Sequence, residues 1–297
     1  MKYGVVLPIW RLTMADAERM AIRAEELGWD GVFVPDHILA KPATTEHYGP
    51  TWPDPFSLLA FLAGRTRRIQ VGASVIVLPY RNPLVAAKAA ATVDQVSGGR
   101  FIFGIGVGWD EAEFNDLRLP FKERGAMADE YLDVIKTAWA ADVPSYAGRY
   151  LSFGGATFSP RPAQKPNPPI WAGGAPGALS APAMRRAATR CDAWHPLALS
   201  WADLEKGMAT VRELATKAGR PAGAVRFAPR NMLLLGDKTG GASRGPYEGN
   251  ADDVAKDVKR AKGLDCEWVT FDMPKVDVSG MLGVMERFMK EVKPQVA

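Results

Sequence analysis

Eight short apolar runs recur along the chain, and helical patterns lie between them. The runs read KYGVVLP, DGVFVP, RIQVGASVIVLP, FIFGIGVG, PIWAGG, DAWHP, VRFAPRNMLLLGD and CEWVTFDM. Most are continuously apolar rather than alternating, which is typical of parallel strands buried on both faces. Eight such strand–helix repeats predict an α/β fold, a (β/α)8 TIM barrel, with a doubly wound open sheet as the alternative.

Capping residues mark where the helices begin and end. Thr13 precedes a helical pattern that Gly28 ends, and Asp54-Pro55 and Asn82-Pro83 combine an N-cap with a proline at the first helical position. Further helices are predicted over about 122–141, after Ser200, after Asn250 and over about 277–292. These signals place a helix after most of the predicted strands.

No linker divides the chain, so residues 1–297 are predicted to form one domain. The possible hairpin YAGRYLSF and the proline-rich tract at 159–169 indicate an insertion before the fifth strand, in the loops at the C-terminal face of the barrel. A hydrophobic content of 47% provides enough apolar material for a large core.

Charge and cysteine content exclude several classes of protein. The net charge of +4 comes without a dense Lys/Arg run, which disfavours nucleic-acid binding. No apolar run approaches 18 residues and no signal peptide is visible, so we expect no membrane association. Cys191 and Cys266 lack metal-ligand spacing and catalytic context. A reduced, cytoplasmic location is predicted.

Chemistry in such a barrel takes place where the strands end. Asp36-His37 follows the second strand and Trp194-His195 the sixth, while His47 lies in the loop after the second strand. The only three histidines of the chain are therefore predicted to converge on one rim. For Asp36-His37 two interpretations stay open, a turn cap or a proton-transfer pair, and the second is favoured because imidazole titrates near neutral pH.

The other histidines and the tryptophans also have two interpretations each. His195 is either packed between its neighbours or part of a pocket, and His47 is interpreted as a solvent-exposed or lid residue. Trp10, Trp109 and Trp194 either wall an aromatic pocket or pack in the core. The histidine spacing does not match a metal site, so no metal is predicted.

Two glycine-rich stretches follow strands. The first, GIGVG, is weak evidence because such glycines can serve tight packing alone. The second, Gly173-Gly174, stands before a helix predicted to begin near Gly177. Free N–H groups at such a turn bind phosphate, which predicts a phosphorylated cofactor or substrate.

Taken together, these motifs resemble the luciferase-like monooxygenase superfamily, in particular its branch that uses the deazaflavin coenzyme F-420. The matching stretches are GVVLP, AEELGWDGVFVPDHI, the segment from DPFSLLAF to VSGGR, GIGVGWDEAEF, RGAMADEYLDVIKTAW, PIWAGG and DAWHP. FMN enzymes share much of this pattern. The resemblance implies a barrel that binds a flavin or deazaflavin ring at its C-terminal mouth.

The resemblance also implies roles for individual residues. Asp36 would contact the ring system, and His37 would be the catalytic neighbour of the ring. A non-prolyl cis peptide at Ser74-Val75 would support the ring from behind. The remaining cofactor residues implied in this way are Gly106, Val107 and Gly108 along the ring and Ala172, Gly173 and Gly174 at the phosphate.

One departure from the family concerns the substrate. The sugar-phosphate dehydrogenase of this family has a glutamate directly after the glycine-rich fourth strand, whereas this chain has Trp109 there and acids at Asp110 and Glu111. A more apolar pocket is therefore expected. The predicted pocket residues are Trp10, Trp109, Glu111, Trp194 and His195.

Three functions follow as hypotheses. The first is an oxidoreductase that transfers a hydride between F-420 and a small organic substrate. The second is an FMN-dependent monooxygenase that receives reduced flavin from a partner reductase. The third is a non-catalytic barrel that binds a flavin or deazaflavin. The family resemblance also suggests a homodimer.

Overall fold

The computed structural model describes residues 1–241 and 243–296, apart from the side chains of Ala43 and His47. Its strands, in chain order, are β1 (Lys2–Val6), β2 (Gly31–Val34), β3 (Gln70–Ala73), β4 (Ile76–Val77), β5 (Phe101–Gly106), β6 (Tyr146–Ala147), β7 (Ser152–Phe153), β8 (Ile170–Gly173), β9 (Ala193–His195), β10 (Arg226–Phe227), β11 (Arg230–Met232), β12 (Leu234–Leu235), β13 (Glu248–Gly249) and β14 (Trp268–Asp272).

Most of these strands form one curled parallel sheet. Its order is β10-β9-β8-β5-β3-β2-β1-β14-β11, and β4 also pairs with β5. The two outermost strands, β10 and β11, are separated in the chain only by Ala228 and Pro229, yet they pair with β9 and β14 at opposite ends of this order. The predicted α/β class and parallel sheet are confirmed, and each of the eight predicted runs contains a strand.

The helices cover one face of the sheet. They are α1 (Met14–Leu27), α2 (Pro42–His47), α3 (Pro55–Arg65), α4 (Pro83–Ser97), α5 (Glu111–Asp116), α6 (Arg124–Ala140), α7 (Ala181–Arg190), α8 (Trp201–Lys217), α9 (Ala251–Gly263) and α10 (Val278–Arg287). A π-helical turn at Phe288–Val292 continues α10, so that the two together cover most of the helix predicted over about 277–292. The helix after β8 starts at Ala181 and not near Gly177 as predicted, because Gly177 has a non-helical φ of 64° and Ser180 is the N-cap.

The predicted caps are confirmed. Thr13 accepts a hydrogen bond from the Asp16 amide, and Gly28 ends α1 in the left-handed conformation, with φ of 82°. The N-cap side chains of Asp54 and Asn82 accept backbone hydrogen bonds at α3 and α4, in each case with a proline at the start of the helix. Local sequence therefore defines these helix ends.

A second buried cluster is distinct from the main core between sheet and helices. Its members come from strands all around the sheet: Val6, Phe33, Ile102, Trp171, Ala193, Ala228 and Trp268. Side chains from such distant strands can meet only on the concave face of the curled sheet.

The predicted insertion contains the hairpin β6–β7. None of the described helices combines the length and the apolar composition that a membrane span needs.

Candidate functional site

A cavity of about 470 Å³ lies at the carboxyl ends of the parallel strands. Its lining includes residues that directly follow β1, β2, β5 and β8. The predicted site residues that line it are Trp10, Asp36, His37, Ser74, Val75, Gly106, Val107, Gly108, Trp109, Gly173 and Gly174. Four predicted residues lie outside this lining: Glu111, Ala172, Trp194 and His195.

His37 is held by a carboxylate that the sequence did not indicate. Its Nδ1 lies 2.8 Å from Oε2 of Glu113, which is fully buried in α5. The same carboxylate accepts hydrogen bonds from the Tyr80 hydroxyl at 2.7 Å and from the backbone amides of Ile38 at 2.5 Å and Leu39 at 2.9 Å. Glu113 thus ties the segment after β2 to the helix after β5.

The protonation of this pair follows from the hydrogen bonds. Burial alone would raise the pKa of Glu113, but the bonds from His37, Tyr80 and the two amides outweigh burial and lower it. Burial raises the pKa of Tyr80, and the neighbouring Glu113 charge raises it further, so the phenol keeps its proton. An ionised Glu113 can only accept, so Nδ1 of His37 carries a proton and Nε2 is left for the cavity.

Asp36 lies at the cavity but is already bound to protein groups. Arg81 contacts both carboxylate oxygens, at 2.5 and 2.9 Å, and the Val77 amide donates to one of them at 2.9 Å. Burial would lower the pKa of Arg81, but the hydrogen bond and the charge of Asp36 raise it. Asp36 therefore holds Val77, in β4, in addition to facing the cavity.

The third predicted strand is broken between β3 and β4, and the Ser74-Val75 peptide there is cis, as predicted. Val75 lines the cavity beside the neighbouring strands. A Cβ at Gly106 would lie 2.6 Å from Cγ2 of Val75, and one at Gly173 would lie 3.1 Å from its Cγ1. These glycines are needed to make room for the Val75 side chain, whatever else the cavity holds.

The carbonyl and hydroxyl of Ser74 are fixed by the half-buried Arg230 and the buried His195. Arg230 donates to the Ser74 carbonyl at 2.5 Å and pairs with Asp272 at 2.6 Å. The Ser74 hydroxyl lies 2.7 Å from Nε2 of His195, whose Nδ1 is 2.5 Å from the Ala228 carbonyl. Burial lowers the pKa of His195 to about 3, so this imidazole is neutral near pH 7.

Aromatic side chains surround the imidazole of His37. Its ring centroid is 4.6 Å from Trp52 and 5.7 Å from Trp109. Trp10 and Tyr48 complete the group, with centroids 5.0 Å apart. We call these four residues, Trp10, Tyr48, Trp52 and Trp109, the aromatic box.

Basic side chains from α6, α7 and the turn before α6 line another part of the cavity. Lys122, Arg124 and Arg186 belong to it. Arg186 pairs with Asp129 at 2.6 Å and donates to the Gly125 carbonyl, whereas Arg124 donates to the carbonyls of Gly108 and Phe121. This basic cluster, together with Gly174 and Ser180 in the same lining, is suited to an anionic group.

Trp194 and His195 were both predicted to line the pocket, and neither does, because of the geometry of the strand. Successive side chains of a strand point to opposite faces. Trp194 packs on the helix side, where a Cβ at Gly207 would come within 2.2 Å of its ring, while His195 points inward to Ser74. The two residues therefore cannot line one pocket. Ala172 is likewise fully buried in the main core, and Glu111 is exposed at the start of α5.

The other predictions concern metals and His47. The His47 side chain is outside the described residues, so the predicted convergence of three histidines rests on His37 and His195, of which only His37 lines the cavity. Within the described residues, no group of three His, Cys, Asp or Glu side chains could hold a metal ion. Both cysteines are buried, which raises the pKa of each thiol to about 12.

Known proteins share this fold and are similar in sequence to about half of this chain. The chain is 37% identical over 165 residues to the F420-dependent glucose-6-phosphate dehydrogenase of Amycolatopsis mediterranei, a match covering 54% of the chain and 48% of that protein. It is 30% identical over 179 residues to the FMNH(2)-dependent dimethylsulfone monooxygenase of Pseudomonas putida, covering 59% of the chain and 47% of that protein. The matches thus span about half the length of these relatives.

A solved structure matches over the whole chain. The coenzyme F420-dependent tetrahydromethanopterin reductase of Methanopyrus kandleri superposes with a TM-score of 0.81 at 18% identity, covering 100% of this chain and 99% of that one. At this identity the likeness shows the fold. The sequence pattern of luciferase-like monooxygenases matches residues 1–243. With a cavity at the strand ends and a family match over most of its length, the chain belongs to the luciferase-like monooxygenase family, and its 37% identity to an F420-dependent relative supports the F-420-dependent branch of that family.

Proposed function

We propose that the protein is an oxidoreductase that binds coenzyme F-420 and transfers a hydride between it and a small organic substrate. The observation that carries this proposal is the orientation of His37. Its Nδ1 is bound to the ionised Glu113, so Nε2 is the nitrogen available to the cavity. Proton transfer at that position is what the oxidation of an alcohol or the reduction of a carbonyl needs besides a hydride.

The residues of the cavity fit a deazaflavin. Val75 offers an apolar surface, and the glycines beside it keep the neighbouring strands free of side chains. Lys122 and Arg124 would hold the phosphate group and the anionic tail of F-420. When bound, the cofactor supplies the carbon that gives or takes the hydride.

The chain's own groups manage the proton. In substrate oxidation, Nε2 of His37 accepts the hydroxyl proton, and Glu113 stabilises the resulting imidazolium through Nδ1. In reduction the same nitrogen donates the proton to the forming alkoxide. The aromatic box limits water around this nitrogen.

The alternative is an FMN-dependent monooxygenase supplied with reduced flavin by a partner reductase. It is favoured by the 30% identity to a relative named as FMNH(2)-dependent. The two cofactors differ chemically, since the deazaflavin has carbon in place of N5 and does not readily form an oxygen adduct. A basic cluster of several side chains supports the more anionic F-420.

Two further statements belong to this proposal. We propose that the curled sheet is a closed (β/α)8 barrel spanning residues 1–297 as one domain, with the β6–β7 insertion at its C-terminal face; the pairing of β10 and β11 with opposite ends of the sheet order supports closure. A homodimer stays a prediction from the family resemblance.

The test is a fluorescence titration of the purified protein with F-420 and with FMN. We expect F-420 to bind more tightly, and Arg124→Ala to weaken F-420 binding by about 10- to 100-fold, the range of a charge-assisted hydrogen bond. Arg226→Ala is the control, because Arg226 is exposed at the opposite end of its strand and does not line the cavity. Tighter binding of FMN would overturn the choice of cofactor.

A further inference from the structure

The aromatic box is built from three separate segments around one imidazole. Trp10 follows β1, Tyr48 and Trp52 belong to the segment after α2, and Trp109 follows β5. The centroids of Trp52 and Tyr48 lie 5.4 and 5.0 Å from that of Trp10. Four rings thus line the side of the cavity at which His37 lies, and Trp109, which is 47% exposed, stands at its rim.

Backbone contacts hold the rings of this box in place. The Trp52 indole donates to the Gly49 carbonyl at 3.1 Å. Gly49 has φ of 145°, and a Cβ there would lie 3.0 Å from the Trp10 carbonyl oxygen, so only glycine lets this segment lie against Trp10. The rings are therefore preorganised, which reduces the entropy lost on binding.

The charged groups near the box are already paired. Asp36 is bound by Arg81, and the Arg230 guanidinium is bound by Asp272. Lys122 and Arg124 belong to the basic cluster assigned above to the cofactor. An anion placed among the four rings would lose its hydration without gaining an unpaired partner. A cation would gain contact with the ring faces, but it would share the cavity with Lys122, Arg124 and Arg230, whose positive charges repel it.

We propose that the substrate is an uncharged, ring-bearing alcohol or the corresponding ketone, whose ring packs in the aromatic box while its oxygen hydrogen-bonds to Nε2 of His37. This inference rests on the proposed function. In oxidation, the carbinol C–H bond breaks and its electron pair leaves as hydride to oxidised F-420. The O–H proton passes to Nε2, and the C=O bond forms; reduction of the ketone by reduced F-420 is the reverse.

Calorimetric titration with three probes that share one ring tests the inference. The probes are acetophenone, which is neutral, benzoate, an anion, and benzyltrimethylammonium, a cation. Each is titrated into the protein with and without saturating F-420. With F-420 saturating the basic cluster, we expect acetophenone to bind at least about tenfold more tightly than either ion, because the anion loses its hydration unpaired and the cation is repelled by the basic side chains of the cavity.

Variants at Trp52 connect this binding to the box. Trp52→Ala should weaken acetophenone binding by about 10- to 100-fold, the range expected for losing one buried aromatic contact, and Trp52→Phe should weaken it less. Trp201→Ala is the matched control, since Trp201 is a half-buried indole on α8 outside the cavity lining. Its variant should bind acetophenone like the wild type.

The outcomes separate this inference from the proposed function. Tighter binding of either ion, or acetophenone binding that is equal in the wild type and both Trp52 variants, overturns the substrate class even if F-420 binds. Binding of acetophenone without any binding of F-420 overturns the proposed function, and with it the role of the box in hydride transfer. Box-dependent acetophenone binding together with its reduction by reduced F-420 supports both.

Discussion

Replacing Glu113 by glutamine should both destabilise the protein and change the tautomer of His37. The wild-type carboxylate accepts hydrogen bonds from the His37 ring, the Tyr80 hydroxyl and the amides of Ile38 and Leu39. A glutamine of the same size can keep its oxygen on the two amides, but these bonds lose their charge assistance, and its NH2 group faces His37 and Tyr80. Hydrogen bonds to charged groups contribute about 1.5–3 kcal/mol and neutral ones about 1 kcal/mol. We therefore expect the free energy of unfolding to fall by about 2–4 kcal/mol.

The imidazole of His37 can accept a hydrogen bond from this amide only if its ring hydrogen moves from Nδ1 to Nε2. Nδ1 would accept from the glutamine NH2, so Nε2 would carry the hydrogen and could no longer accept a proton from substrate. Replacing the orienting carboxylate of a serine-protease triad by an amide lowers kcat by about 10⁴-fold for the same reason. Nitrogen-15 NMR distinguishes the two tautomers without any substrate, and with three histidines in the chain the signals can be assigned by single replacement.

The control is Glu111→Gln, on the same helix but exposed, which should change the free energy of unfolding by less than about 0.5 kcal/mol. The pH dependence follows from the sign of the shift. The pKa of Glu113 is lowered in the folded state, so its contribution is complete above the unfolded pKa of about 4.3 and is lost as pH falls through the folded pKa. An unchanged tautomer, or equal stability losses in the two variants, would refute this account.

Three further changes test other parts of the site. His37→Ala should lower kcat by about 10²–10⁴-fold with a much smaller change in cofactor affinity, measured by single-turnover kinetics; an unimpaired hydride-transfer rate would leave the residue a wall of the pocket. Gly106→Ala places a Cβ 2.6 Å from Val75 and should lower the free energy of unfolding by about 1–3 kcal/mol. Gly64→Ala, in α3 with open space around it, should raise the free energy of unfolding. Denaturant unfolding of both variants measures these changes. The pKa of His195 is lowered to about 3, so the wild type should lose stability as pH falls below about 6.5. The loss should exceed that of His195→Gln by up to about 1.4 kcal/mol per pH unit. Parallel plots of unfolding free energy against pH for the two proteins would contradict the buried neutral imidazole.

The fold was predictable because its signals are local. Continuous apolar runs reveal strands buried on both faces, and residues such as Thr13, Asp54 and Asn82 cap helices by hydrogen bonds within three positions of themselves. Knowing that strand ends meet at one rim then placed His37 in the cavity, and these steps use only sequence spacing and the geometry of parallel sheets. Val75 was placed there by the family resemblance.

The missing parts of the site depend on long-range contacts. Glu113 lies in the short acidic stretch DEAEF, which looks like the start of an exposed helix, and its burial comes from contacts with residues 38, 39 and 80. Tyr48 and Trp52 lie in a segment without periodic pattern. Trp194 was misplaced because a strand of three residues does not reveal which side chain faces inward. The position of Glu113 three residues after the N-cap Asp110 would have predicted a side-chain bond back to the start of α5 and not the contact with His37.

The pairing of β1 with β14 also determines when the sheet can be completed during synthesis on the ribosome. Lys2 lies beside Trp268 in the sheet, so one edge of β1 has no partner until β14 has been translated. The other edge meets β2 about as soon as α1 has formed. Open strand edges attract other chains. The nascent protein therefore carries an aggregation-prone edge until β14 has been translated, and slow or interrupted translation before that point should lower the yield of soluble protein.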